Sequence, residues 1–143
     1  MRPLMKGCAM VSSKVVRGLA AAAAVFGVLT VVSGGGALFG GAEAQAVAGN
    51  AVPFVLWFNF LAGFAYVLAA WGLWQGRRWG LRLAWALAGL TALVALAFGV
   101  HVLGGAAFEP RTVAALALRL VFWIVVAAVA AAARARPAHV QAA

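Results

Sequence analysis

Four long apolar runs limit what this chain can fold into. They cover about residues 15–39, 51–74, 80–103 and 111–133, and a helix needs roughly 20 apolar residues to cross a membrane. The chain is 67% hydrophobic and 9% charged, whereas soluble domains are about 25% charged. So few charges cannot cover a water-soluble surface. The sequence therefore predicts an all-α integral membrane protein, a four-helix up-down-up-down bundle that forms one domain over residues 1–143, since short connections make sequential helices antiparallel neighbours.

The charges are segregated between the two sides of this predicted bundle. Nine of the eleven basic residues lie in the flank 1–14, at the edge of the first run, in or just after the second connection, or in the tail 134–143. These nine are Arg2, Lys6, Lys14, Arg17, Arg77, Arg78, Arg82, Arg134 and Arg136. The two acids, Glu43 and Glu109, lie in the other connections. The positive-inside rule then predicts a multi-pass protein of the bacterial inner (plasma) membrane with both termini in the cytoplasm.

The same distribution argues against a nucleic-acid partner, even though the net charge is +9. Nucleic-acid binding needs a contiguous basic surface, and here the basic residues flank apolar runs. The lipid bilayer is the partner that the sequence predicts directly. A membrane-protein partner or a second copy of the chain is the further partner we expect.

The first apolar run has two interpretations. It follows basic residues and precedes Ala44-Gln45-Ala46, which resembles a signal-peptidase site, so a cleaved signal peptide is one interpretation. We favour a retained first helix, because the distance from the run to Ala46 is long and is interrupted by leucine and phenylalanine.

Polar residues inside the apolar runs are the candidates for function. Asn59 lies eight residues after Ala51, and Arg119 lies eight residues after Arg111, so each is expected about 12 Å inside the same boundary. Equal depth favours a contact between them. That contact would be either a structural hydrogen bond between helices or part of a site for an anion or a lipid headgroup.

Neighbouring polar residues extend this pair into a candidate cluster. Tyr66 shares a helical face with Asn59, and Thr112 shares one with Arg119, because spacings of seven return to the same side. Two such faces would form an outward-opening polar pocket, unless Tyr66 and Trp123 simply fill the core. The complete candidate cluster is Asn59, Tyr66, His101, Glu109, Arg111, Thr112 and Arg119.

His101, Glu109 and Arg111 each have a simple alternative role. A histidine could bind haem or a metal or carry protons, but His139 lies on the opposite predicted side and few other ligands are near, which favours a structural or interfacial histidine. Glu109 and Arg111 are a solvated loop pair, or Glu109 reaches Arg119. Because catalytic arrangements and clustered metal ligands are missing, we predict no catalytic residues, no metal site and no cofactor.

Three stretches carry a resemblance to known proteins: residues 33–40, residues 52–66 (VPFVLWFNFLAGFAY), and residues 101–123, which include His101, Glu109 and Arg119. In these the chain resembles a group of small four-helix bacterial membrane proteins that are generally labelled uncharacterised. The resemblance implies a retained first helix and an inner-membrane location, and it implies no reaction. A similarity to the DoxX-like four-helix proteins rests on architecture alone, which does not determine function.

Three functional hypotheses follow from the sequence. The first is a non-enzymatic accessory or assembly factor, or a module that binds lipid or a partner. The second is a small transporter or channel subunit that acts as an oligomer, with Asn59 and Arg119 lining its path. The third is a membrane redox protein that uses quinone or haem near His101. We favour the first, because catalytic groups are missing, the outer connections are very short and the chain is small. Against the second, the inner half of the predicted bundle shows almost no polar residues.

Overall fold

The chain folds into α-helices connected by short segments, as shown by a computed structural model that describes residues 12–135. This part of the chain contains no strands. Its five helices are α1 (Ser13–Phe39), α2 (Ala42–Ala48), α3 (Pro53–Trp74), α4 (Arg78–Leu103) and α5 (Pro110–Arg134). Four of them, α1, α3, α4 and α5, are long and apolar enough to cross a membrane. The predictions of an all-α fold and of four long apolar helices are confirmed at this level.

The long helices begin and end within about two residues of the predicted runs, and the structure adds one short helix. Helix α2 lies in the connection between the first two apolar runs, where no helix was predicted. Helix α1 continues through the three consecutive glycines at residues 34–36 to Phe39, although glycine weakens helices. Gly34 is buried against α3, where an added Cβ would lie 3.2 Å from the Cα of Phe60. The close approach of α3 therefore explains why a glycine is used there.

Packing between the long helices follows their order in the chain. Helix α1 packs most extensively against α3, α3 packs against α4, and α4 packs against α5. The contact between α1 and α5 is the least extensive of the four. Gly27 of α1 lies beside Gly63 of α3, and Gly34 lies beside Phe60, so α1 and α3 run in opposite directions.

Small residues allow α1 and α3 to approach closely. An added Cβ at Gly63 would lie 2.6 Å from Cγ2 and 3.0 Å from the backbone nitrogen of Val31. As small residues in apolar runs, Gly63, Gly72, Gly76 and Gly89 are all expected from the sequence to allow close approach of helices. Gly63 does so against α1 and Gly72 does so against α4, but the other two do not. Gly89 has no atom within 4 Å of an added Cβ, and Gly76 has a φ of +68° in an open turn.

The core has two parts. The larger part contains mostly alanines around two large buried side chains, Tyr66 and Trp123, both 0% exposed. The smaller part lies where α3 and α5 begin and α4 ends, and it consists of Val52, Val55, Phe98 and Leu116. Many leucines and valines remain exposed on the outer faces of the long helices. An apolar outer surface over a small-residue core is the pattern of helices that pack in lipid.

Candidate functional site

A cavity of about 290 Å³ lies among α1, α2, α3 and α5. We call it the Arg119 cavity. Its apolar lining residues come from α1, α2, α3, α5 and the segment before α3, and they are alanine, valine, leucine and glycine. Its polar lining residues are Ser33, Asn59, Glu109, Arg111, Thr112 and Arg119. Five of the seven residues of the predicted cluster therefore line one cavity.

Asn59 and Arg119 both reach this cavity, but from unequal positions in their helices. Helix α3 begins at Pro53 and α5 begins at Pro110. Asn59 therefore lies about 9 Å from the start of α3, and Arg119 lies about 13.5 Å from the start of α5. The sequence predicted equal depths because both distances were counted from residues 51 and 111, which are not the first residues of the two helices. Asn59 Oδ1 and Arg119 Nε are buried, and neither has a hydrogen-bond partner within the described residues.

Arg119 is partly buried beside aromatic rings. Its Cζ atom lies 5.8 Å from the centre of the Phe26 ring, within the distance of about 6 Å at which a guanidinium is attracted to an aromatic face. The only ion pair in residues 12–135 joins Arg111 to Glu109. Arg119 thus has an aromatic neighbour, and no carboxylate of the described chain pairs with it.

Tyr66 and Trp123 form the floor below Arg119. The Tyr66 ring packs 4.9 Å from the Trp123 ring and stacks 5.7 Å from Phe26. Tyr66 therefore fills the core instead of lining the cavity. Its hydroxyl lies beside Thr91, Trp123 and Arg119. The side-chain polar atoms of Tyr66, Thr91 and Trp123 are buried and have no hydrogen-bond partner in the described chain. A series of unpaired polar atoms therefore continues inward from the cavity.

Glu109 and Arg111 form the mouth of the cavity. Glu109 Oε1 accepts a hydrogen bond from the Asn50 backbone N–H at 3.1 Å. Arg111 Nη2 donates to the Val47 carbonyl at 3.0 Å and lies 3.6 Å from Glu109 Oε2. These contacts fasten the end of α2 to the start of α5. The Glu109 carboxylate thus contacts Asn50 and Arg111, in agreement with the interpretation of Glu109 and Arg111 as a loop pair. It does not pair with Arg119.

His101 lies apart from the Arg119 cavity. It is exposed in the last turn of α4, and its ring is 6.0 Å from that of Phe54 in an edge-to-face arrangement. The predicted grouping of His101 with Asn59, Glu109 and Arg119 is not found, because these three line the Arg119 cavity and His101 does not. Within residues 12–135, no three His, Cys, Asp or Glu side chains are grouped closely enough to hold a metal ion.

Two residues near the site were missed by the sequence analysis. Thr91 is fully buried beside Tyr66, and Phe26 contacts Arg119. A lone hydroxyl within the apolar run of α4 was a usable signal for Thr91. Phe26 gave no signal, because one more phenylalanine in an apolar helix indicates only burial or lipid contact.

Comparisons of the chain with protein-family models, curated proteins and solved structures find no match. The resemblance to a group of small four-helix bacterial membrane proteins therefore stays an expectation from the sequence.

Proposed function

We propose that the chain is a multi-pass protein of the bacterial inner membrane. In this proposal α1, α3, α4 and α5 cross the bilayer as an up-down-up-down bundle, with both termini in the cytoplasm. Their length and apolarity support insertion. Arg17 and Arg134 line one end of the structure, and Glu109 lies at the other. That separation of charge supports the orientation by the positive-inside rule.

We further propose a non-enzymatic role, in which the Arg119 cavity binds an anionic group of a lipid headgroup or of a membrane-protein partner. The observation that carries this proposal is the position of Arg119. An arginine in the middle of a membrane costs at least about 2.5 kcal/mol on insertion scales, and its Nε has no partner in the described chain. A bound anion would supply the missing charge and acceptor.

The lining of the cavity suits a phosphate or a carboxylate. A guanidinium presents a planar fork of N–H donors that matches both groups. The Asn59 amide and the Thr112 hydroxyl add donors from opposite walls. Glu109 at the mouth would repel an anion, but Arg111 lies 3.6 Å from it and offsets its charge. The volume of about 290 Å³ is at the lower end of small-ligand sites and fits a headgroup fragment.

A binding role fits this geometry better than a transport path. Arg119 is the deepest polar lining residue of the cavity along α5, and next to it the core contains Tyr66 and Trp123, which are both 0% exposed. Beyond them the core consists mainly of alanine side chains, among them Ala69, Ala127 and Ala130. A solute would have to displace two packed aromatic rings to continue, whereas a bound headgroup needs no path beyond them.

Photo-crosslinking in native membranes tests the proposal. A photoreactive amino acid at Ser33 would lie in the cavity wall. The matched control is the same probe at Leu118, which is next to Arg119 in the chain but 62% exposed on the outer face of α5. We expect one defined lipid or protein adduct at Ser33 that Arg119→Leu abolishes and Arg119→Lys weakens. The lipid adducts at Leu118 should not respond to either change.

Thermal unfolding in detergent separates binding from a structural role. If Arg119 is a binding residue, Arg119→Leu should be as stable as the wild type or more so, because it removes a partly buried charge. A clear loss of stability together with an unchanged Ser33 adduct would identify Arg119 as a structural anchor and would overturn the proposal.

A further inference from the structure

A second cavity, of about 590 Å³, lies at the opposite end of the structure. We call it the basic recess. It is formed by the start of α1 and the ends of α3 and α5, and its polar lining residues are Ser12, Ser13, Arg17, Gln75 and Arg134. Trp74 and several apolar side chains complete its wall. Its volume is typical of small-ligand sites.

Neighbouring residues hold both arginines of the basic recess in position. These contacts leave most N–H groups of the two guanidinium groups free to bind a ligand. The Cζ atom of Arg17 lies 5.9 Å from the centre of the Trp74 ring, a contact that uses no N–H donor. Arg134 donates through Nη2 to the Gly76 carbonyl. Because each guanidinium has five donors, both arginines can bind an acceptor in the recess without giving up these contacts.

The positive charge of the basic recess has no acidic side chain to compensate it. The chain has two acidic residues in total. Glu43 lies in α2, and Glu109 is bonded to Asn50 beside that helix. Both are at the far end. Further basic residues lie at the same end as the recess, in the first turn of α1 and around the start of α4; they are Lys14, Arg77, Arg78 and Arg82.

The tryptophans place the basic recess at the level of lipid headgroups. Trp71, Trp74 and Trp79 lie at this end and are 57%, 50% and 40% exposed. Tryptophan is enriched where the bilayer meets water, because its ring sits among the headgroups. Basic pockets between membrane helices on the cytoplasmic side bind the headgroups of anionic lipids.

We infer that the basic recess binds the phosphodiester of an anionic phospholipid from the cytoplasmic leaflet. Arg17 and Arg134 supply the charge and the forked donors, and the serine hydroxyls at the start of α1 supply neutral donors. Trp74 contacts the glycerol region of the lipid. This inference rests on the membrane insertion and orientation proposed above, but not on the Arg119 cavity.

Native mass spectrometry of the full chain in detergent tests this site. Phosphatidylglycerol is added as the anionic probe, and phosphatidylcholine as the zwitterionic control. The test variant carries Arg17→Gln and Arg134→Gln. The matched control carries Arg78→Gln and Arg82→Gln, which remove the same charge from the same end at exposed positions outside the recess.

The wild type and the matched control should bind phosphatidylglycerol about equally and in preference to phosphatidylcholine. The test variant should bind it at least about tenfold more weakly, because two arginines near an anionic headgroup are lost. Equal weakening in the control would show diffuse attraction, and equal binding of phosphatidylcholine would show no headgroup recognition. Either result would overturn the inference.

Two further measurements show whether the bound phosphate belongs to a lipid or is the free anion, and they separate the basic recess from the Arg119 cavity. Displacement of phosphatidylglycerol by millimolar inorganic phosphate would identify a site for the free anion and overturn the lipid assignment. The Arg119→Leu variant should retain the lipid that depends on Arg17 and Arg134. A failure at the Arg119 cavity and a failure at the basic recess are therefore distinguishable in one experiment.

Discussion

The Arg119 guanidinium carbon lies 5.8 Å above the centre of the Phe26 ring, and this contact joins α5 to α1. The interface between these two helices is the least extensive of the four main interfaces between long helices. Phe122 adds a second contact, since its ring lies 5.1 Å from that of Phe26 in an edge-to-face arrangement. Phe26 thus stabilises the joint between α1 and α5 and lies beside the charge of the Arg119 cavity.

The coupling between Phe26 and Arg119 can be measured with a double-mutant cycle of Phe26→Leu and Arg119→Leu. We expect a coupling free energy of about 1–2 kcal/mol, because a guanidinium over a desolvated ring is worth about that much. Denaturant unfolding in detergent gives the four free energies of unfolding. Phe122→Leu paired with Arg119→Leu is the control cycle and should show a smaller coupling. Additive effects in the first cycle would show that the contact contributes nothing.

The close approach of α1 and α3 predicts opposite outcomes for two glycine-to-alanine changes. At Gly63 an added Cβ would lie 2.6 Å from Val31 Cγ2, so Gly63→Ala should lower the free energy of unfolding by about 1–3 kcal/mol through overpacking. At Gly89 an added Cβ meets no atom within 4 Å, so Gly89→Ala should be neutral or stabilising by up to about 1 kcal/mol. Equal effects of both changes in detergent would contradict this packing.

The sequence predicted the long helices well and their rotation poorly. Apolar runs interrupted by glycine, proline and arginine mark where a helix can cross a bilayer, so most boundaries agree to within about two residues. Rotation about each helix axis is harder, because a membrane helix is apolar on the lipid side and on the core side alike. Polar residues alone indicate the inward face. This signal located Asn59 and Arg119, and it was present but unused at Thr91, whereas Phe26 gave no such signal.

His101 illustrates the same limit. It lies near Glu109 in the sequence and near the same predicted end of the bundle, so depth alone grouped it with Arg119. The exposed side of α4 carries it toward Phe54 instead. The depth of His101 along α4 was predictable by counting residues. The direction in which its side chain points from α4 was not, because it depends on how α3 and α5 pack around that helix.

We predict that the mature protein retains α1. Five residues of α1 are buried against the rest of the chain, namely Ala20, Ala23, Gly27, Thr30 and Gly34. Cleavage after Ala46 would uncover the α3 surface that they contact. Intact-mass analysis should find Cys8, which lies outside the described residues, still in the chain. A mature N-terminus at Val47 would contradict the prediction and leave three long helices.

The proposed orientation predicts which connections reach the cytoplasm. Reporter fusions after Gln75 and after Ala143 should show cytoplasmic activity, and a fusion at Gly105 should show periplasmic activity. The physical reason is that the segment containing Arg77, Arg78 and Arg82 resists translocation, whereas the connection between α4 and α5 carries no charge before Glu109. Each site is tested with one reporter active only in the cytoplasm and one active only in the periplasm, so that loss of expression is not mistaken for a location. Periplasmic activity at the C-terminus would contradict the orientation, and it would also place the basic recess away from the cytoplasmic leaflet.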